Sequence, residues 1–369
     1  MKSHFINPLP KNLTMLDRRS FLATIAVLSV APSLRALEER AAPKLKLGFD
    51  NFALRAFGWK AAELLDFAKA SQCDALFISD LESVGSLEPA ALLEVRKKAD
   101  ALGIPLYVGG WSICPGSKKF KDTWGTPEQM LITGIRVAKA LGSPVFRVIL
   151  GGIEDRDSSG GINARIAETV NILKSCRKQA LAAGVKIAVE NHAGDLHSWE
   201  LVQLIQQAGP EFVGANFDSG NAAWALEDPL QAFENLKPYI VCSSLRDVMA
   251  WKTPEGASIA WTAAGEGLID WTQLLSKWAE SCPNVPVFVE TISGFSRPFP
   301  YHHEGFWRHY PHVPPATFAG FEAMMKRGKE IPAFKAPEGD GKKQAEEAYQ
   351  KAELERSLAF LRGKIAALE

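Results

Sequence analysis

A (β/α)8 barrel, an α/β fold, is what this chain predicts, on three observations. Short apolar runs alternate with longer amphipathic ones, the short runs number eight, and together they span roughly 250 residues, the ordinary size of such a barrel. The runs are "KLKLGFD", "DALFIS", "IPLYVGG", "PVFRVIL", "VKIAVE", "FVGANFD", "YIVCSSL" and "VPVFVE". Their near-continuous apolarity is what a parallel sheet covered on both faces requires. The stretches between them carry helical spacing, and three close on Gly103, Gly142 and Gly184, a common helix stop. An open doubly wound sheet would want a Gly-rich phosphate turn after its first strand, and "GFDNFALRAFG" is not one.

The flanks read differently from the barrel. "LDRRSFLATIAVLSVAPSLRA" pairs Arg18 and Arg19 with a short apolar stretch and then small residues, the layout of a twin-arginine export signal. Residues 1–40 are therefore assigned to a signal peptide and linker, 44–330 to the barrel, and 331–369 to a C-terminal linker and helix. The expected location is the periplasm or the exterior, with no membrane span in the mature chain. After the last strand, residues 294–315 are rich in Pro, His and aromatics and far exceed an ordinary connection. They are expected to form a lid that brings His302 or His303 to a bound substrate. In the tail, Leu354, Leu358, Leu361, Ile365 and Leu368 make one helical stripe. That stripe packs on the barrel's flank or, alternatively, builds a homo-oligomer.

Composition narrows the classes. With 369 residues, 47% hydrophobic, the chain can bury a large core. Its 42 basic and 42 acidic residues cancel, which disfavours nucleic acid and anionic membrane as partners. The five cysteines are scattered without a CxxC pair, so neither a zinc knuckle nor a disulfide framework is indicated.

In a barrel of this type the C-terminal strand ends converge on one mouth. Strand five ends in Glu190, strand six in Asp218 and the last strand in Glu290. Three carboxylates there repel one another unless a cation intervenes or one keeps its proton. An all-oxygen donor set suits hard to borderline divalent ions. His192 follows Glu190 by two residues and points to the same side if the strand continues. Asn191 and Asn221 are candidate neutral contacts to a substrate. Arg147 interrupts an apolar strand and needs either acidic partners or an oxygen-rich ligand. Trp111, Trp224, Trp251 and Trp261 fall in expected loops after strands, where they serve as faces for sugar rings or as cover for the barrel top.

These residues stand in motifs: "VEN" at 189–191, "NFDSGN" at 216–221, "SLRD" at 244–247, "GEGLIDW" at 265–271 and "VFVET" at 287–291. In this order the set resembles the xylose-isomerase-like barrel superfamily of sugar phosphate isomerases and epimerases, over residues 44–295. The resemblance implies one divalent metal ion (Mn, Mg, Co or Zn) held by Glu190, Asp218 and Glu290. The family's fourth ligand, a histidine after strand seven, is absent: "CSSLRD" puts Cys242 and Ser244 where histidines are expected. Three arrangements fit that departure: carboxylates completed by water, His192 or a loop histidine as fourth ligand, or a pocket without metal. The resemblance also implies proton abstraction beside a carbonyl through an enediolate, with Glu190 and Glu290 as the acid/base pair. His192, Arg147, Asn191, Asn221, Trp111 and Arg246 are then the expected substrate contacts. A keto-glycoside lyase or hydrolase and a non-catalytic sugar-binding barrel are the alternatives. A barrel nuclease is disfavoured by the neutral charge and by only seven histidines. Export favours a free sugar, keto-sugar or glycoside over a sugar phosphate.

Overall fold

A computed structural model describes residues 45–368, and the export signal read in residues 1–40 lies outside them. In chain order the strands are β1 (Leu47–Asp50), β2 (Ala75–Ile78), β3 (Leu106–Ser112), β4 (Val145–Ile149), β5 (Lys186–Glu190), β6 (Val213–Phe217) and β7 (Ile240–Ser243). A hairpin of β8 (Asp247–Thr253) and β9 (Gly256–Thr262) follows, then β10 (Val287–Val289) and β11 (Arg297–Phe299). β1 to β7 and β10 form one parallel sheet in the order β10-β1-β2-β3-β4-β5-β6-β7. The ring closes just past β7, where Leu245 pairs with Val289. There the Leu245 N–H donates to the Phe288 carbonyl at 2.6 Å and the Glu290 N–H to the Leu245 carbonyl at 2.9 Å.

Strand side chains alternate between two environments, as the two-residue period requires. One set, including Leu76, Val108, Phe146, Val148, Ile187 and Val189, joins the large apolar core shared with the helices. The other set (Ala75, Phe77, Tyr107, Val145, Ala188, Cys242 and Phe288) forms a separate apolar cluster, the filling of the barrel. Cys242 is part of this plug, and burial pushes its thiol far above the usual range. It therefore takes no part in the mouth, contrary to its expected place beside the ligands.

The residues around Trp251 and Trp261, read as loop, form strands. β8 and β9 pair antiparallel over their whole length, and β11 adds to β9 through Arg297, Pro298 and Phe299. "DVMAWKTPEGASIAWT" carries the signal: two alternating runs joined by a Pro-Glu-Gly turn. Trp251 and Trp261 lie on these strands and Trp111 on β3, whereas Trp224 ends the short helix Asn221–Trp224. The residues from 297 are thus ordered by a sheet rather than left as a free lid.

The tail helix, Lys342–Ala366, buries Leu354, Leu358, Leu361 and Ile365. It packs on the helical turn Asn51–Phe57 and on β1, so its apolar stripe is covered within the chain. No helix among the described residues is long and apolar enough to cross a membrane. Leu361 has no exposed surface, so Leu361→Ala should lower unfolding stability in urea by about 2–5 kcal/mol. An unchanged midpoint would mean the helix is not part of the cooperative core.

Candidate functional site

One step above the apolar plug, the same inward parity turns polar. Asp50, Ser79, Arg147, Glu190, Asn216, Asp218, Ser244 and Glu290 are all buried there. This layer exists because each strand that supplies a plug residue continues two residues further: Ala188 to Glu190, Val145 to Arg147, Phe288 to Glu290. Oxygens of Glu190, Asp218 and Glu290 lie within 4.8 Å of one another, a single buried acidic triad.

Two guanidinium groups divide the acids between them. Arg147 places Nε 3.2 Å from Glu190 and Nη2 3.9 Å from Asp50, while its Nη1 donates to the Gly110 carbonyl at 2.8 Å. Arg246 Nη2 lies 2.5 Å from Asp218 and 2.7 Å from Glu290. Burial works against both arginine charges, but the surrounding carboxylates outweigh it and hold both more firmly protonated than usual. Four acids still face two arginines. Burial, reinforced by Glu290, pushes Asp50 well above the carboxylate range. Burial, opposed by Arg246, does the same for Asp218. Burial, opposed by Arg147, lifts Glu190 to about 7.

The stretch after β5 explains how His192 is aimed. The chain reverses through Ala193 at φ 40° and Gly194 at φ 80°, a left-handed pair that the glycine makes affordable. Asp195 locks the turn by accepting the N–H of His192 at 2.8 Å, of Leu196 at 2.6 Å and of Gly151 at 3.0 Å. His192 Nδ1 sits 2.6 Å from the Gly151 carbonyl and so carries the proton, leaving Nε2 as an acceptor. Burial lowers its basicity to about 4, which keeps the ring neutral at physiological pH.

A pocket of about 80 Å³ opens on this layer, lined among others by Arg147, Glu190, His192, Asn221, Arg246 and Glu290. Phe52, Trp111, His192, Trp261 and Ile292 also border a wider chamber of about 480 Å³, walled by Trp224, Phe299 and Phe306. Pocket and chamber are two storeys of one cleft, polar below and aromatic above. Trp224 stacks on Trp261 at 4.4 Å between ring centroids. Among the described residues, buried polar atoms without a hydrogen-bond or ion-pair partner gather here: Asp50 Oδ2, Asn216 Oδ1, Asn221 Oδ1, Glu290 Oε2 and Arg246 Nε. Such unmet groups are rare in folded proteins, and a cluster of them marks where a polar ligand is accommodated.

Several expected contacts are placed otherwise. Asn191 spends both ends of its amide on the backbone of Asp218, donating at 2.8 Å and accepting at 2.9 Å, so it positions that residue rather than facing the pocket. Asn221 does line the pocket and donates to Glu190 at 3.3 Å. Ser244 is fully buried and accepts from Asn216 at 3.1 Å. Trp251 packs with Met249 and Ala260, away from the cleft. His302 and His303 are exposed on the outer rim, bonded to Pro254 and Glu255, so the lid histidines do not reach the site. Residues 295–306 contribute Phe295, Phe299 and Phe306 instead. Asp50 was missed, although "KLKLGFD" ends in a carboxylate just as strands five and six do.

Comparison with known proteins places this architecture. The chain matches the xylose isomerase-like TIM barrel family over residues 52–298 and belongs to it. It is 22% identical over 219 residues to the uncharacterised protein YihM of Escherichia coli (strain K12), an alignment spanning 58% of this chain and 61% of YihM. Among solved structures it is similar to a D-psicose 3-epimerase determined in the presence of D-fructose, with TM-score 0.57 and 13% identity over 87% of this chain and 99% of that one. It is also similar to a xylose isomerase domain protein from Planctomyces limnophilus, with TM-score 0.54 and 16% identity over 68% and 91% of the two chains. A third is the IolI protein with a bound zinc atom, with TM-score 0.53 and 14% identity over 78% and 100%. At such identities these likenesses establish the fold alone.

The metal implied by the fold family can be tested against these side chains. An ion bridging Asp218 and Glu290 would need the space that Arg246 Nη2 already takes between them. Glu190 has Arg147 as its partner, and Ser244 offers no imidazole. As arranged, the residues do not fit a divalent ion.

The raised pKa of Glu190 gives an expected pH dependence of definite sign. The fold retains this proton up to about 7, whereas the unfolded chain releases it near 4.5, so the contribution of Glu190 to stability falls as pH rises between those values. Glu190→Gln removes that slope. Melting temperatures across this window should fall less steeply for the variant than for the wild type, and parallel curves would contradict the shift.

Proposed function

We propose that this member of the xylose isomerase-like TIM barrel family is a carbohydrate isomerase or epimerase that moves a proton next to a carbonyl. The observation that carries the reading is the pocket floor, where the carboxyl groups of Glu190 and Glu290, the guanidinium groups of Arg147 and Arg246 and the neutral imidazole of His192 meet. Glu190, with its pKa raised to about 7, can exchange a proton near neutral pH, where acid–base catalysis is most effective. Glu290 is its partner in the acid/base pair. One glutamate takes the proton from the carbon beside the carbonyl and the C–H electrons form the enediolate. The other glutamate, or the same one, returns a proton to the same carbon from either face, or to the former carbonyl carbon while the hydroxyl proton passes between the two enediolate oxygens. His192 Nε2 accepts from a substrate hydroxyl, and Asn221 and Arg147 orient further oxygens. The unmet polar atoms of the floor suit a polyol, and the aromatic chamber suits the C–H faces of sugar rings. The epimerases of similar fold support this class of substrate without selecting one. With the N-terminal export signal taken as functional, the substrate is an unphosphorylated sugar or glycoside.

A second reading draws on the upper storey. The chamber of about 480 Å³ leaves room for a group attached to the reacting ring. Deprotonation beside a ketone followed by loss of a glycosidic oxygen would then make the chain a keto-glycoside lyase.

Incubation with keto-sugars in D₂O should load deuterium on the carbon beside the carbonyl, visible by NMR. Glu290→Gln should slow that exchange by about 10²–10⁴-fold, the usual worth of a positioned acid–base group. Release of an aglycone from a keto-glycoside would select the second reading. Absence of exchange and of release across both substrate classes would leave only the sugar-binding alternative. Trp111→Ala should raise KM by about tenfold with kcat less affected, equivalent to about 1.4 kcal/mol of ring contact.

A further inference from the structure

We propose that the Arg246 guanidinium is the resident cation of this mouth, standing where the fold family places a divalent ion and facing the oxyanion that forms on the substrate. The first observation is position. Arg246 is 2% exposed and bridges Asp218 to Glu290, and it lines the pocket, whereas the fully buried Asp218 does not. A substrate oxygen entering the pocket therefore meets guanidinium before Asp218.

The second observation is that the surroundings are built for this side chain. Gly220 has no Cβ, and one added there would fall 2.4 Å from Arg246 Cγ and 2.9 Å from Trp261 Cδ1. Trp261 presents its ring face to the guanidinium at 4.6 Å. Ser219 clamps the Arg246 backbone, donating to its carbonyl at 2.6 Å and accepting its N–H at 3.2 Å. The third observation is the donor set. Ser244 stands where the fourth ligand is expected, and its hydroxyl is engaged with Asn216. A dication inserted among Arg147 and Arg246 would add like-charge repulsion to the loss of two ion pairs.

The chemical consequence rests on the function proposed above. When a glutamate removes the carbon-bound proton, the C–H pair becomes the C=C bond and the C=O π pair moves onto the carbonyl oxygen, which becomes the enediolate oxyanion. Arg246 donates to that oxygen, and reprotonation by a glutamate closes the cycle without a co-reactant. Oxyanion stabilisation of this kind works because the donor is fixed before the charge develops.

The test is elemental mass spectrometry on the full chain purified without chelator, with melting temperatures read in EDTA and in added Mn²⁺. Wild type should hold far less than one equivalent of any divalent metal, and neither addition should move its melting temperature. The variant pair Arg246→Ala with Ser244→His, which opens the position and restores a ligand, should gain several degrees in Mn²⁺ by mass action. About one equivalent in the wild type, stripped by EDTA with a fall in melting temperature, would overturn the assignment even if the variants fail to fold. Arg246→Lys keeps the charge but not the fork and should lose about 10²–10³-fold in kcat; an unchanged kcat would overturn the oxyanion role. Metal content does not read turnover, so the two proposals fail separately: metal-free protein inert towards every sugar sinks the enzyme, and metal-loaded protein that turns over sinks this assignment.

Discussion

Charge balance among buried groups at the barrel mouth is the constraint on which the rest of this structure depends. Asp50, Glu190, Asp218 and Glu290 sit on an apolar plug that includes Phe77, Tyr107 and Phe288. An ionised carboxylate in such a place is costly unless a counter-charge lies within a few ångströms or a proton is retained. Arg147 and Arg246 supply two of the counter-charges, and burial drives the acids towards supplying the remainder as protons. Burial, only partly offset by Arg147, likewise raises the pKa of Glu190 to about 7.

Much of the local architecture serves that balance. The Ala193–Gly194 reversal and Asp195 place a neutral imidazole, rather than a third cation, at the rim. The absent side chain at Gly220 lets Arg246 run between Asp218 and Trp261. The sheet of β8, β9 and β11 carries Trp261 and Phe299 over the mouth, where they limit water and so strengthen every charge interaction beneath. Aromatic cover and ionic floor are two halves of one device.

The barrel was legible because its strands are buried on both faces, which writes each as an uninterrupted apolar run. The carboxylates at three strand ends were legible for the complementary reason, that charge breaks such a run abruptly. Asp50 carries the same signal at the end of the first strand, and nothing in its local sequence sets it with the three later carboxylates. Trp251 and Trp261 were misplaced because a hairpin between barrel strands is an addition the eightfold repeat does not announce. His302 and His303 cluster in sequence with the aromatics of their segment, yet pairing of Arg297–Phe299 with β9 turns the histidines outward. Arg246 was expected as a substrate contact, and its bridging role was illegible. That role arises from close approach across β6, β7 and β10, which no local spacing encodes.

The central claim is that Arg246 and the carboxylates form one electrostatic unit, and a double-mutant cycle measures it directly. Arg246→Met and Asp218→Leu, singly and together, would be compared by urea denaturation at fixed pH. Each single change strands a buried partner and should cost about 3–5 kcal/mol, while the pair should cost far less than the sum. Costs that add to within about 0.5 kcal/mol would show the two groups acting independently and would contradict the account.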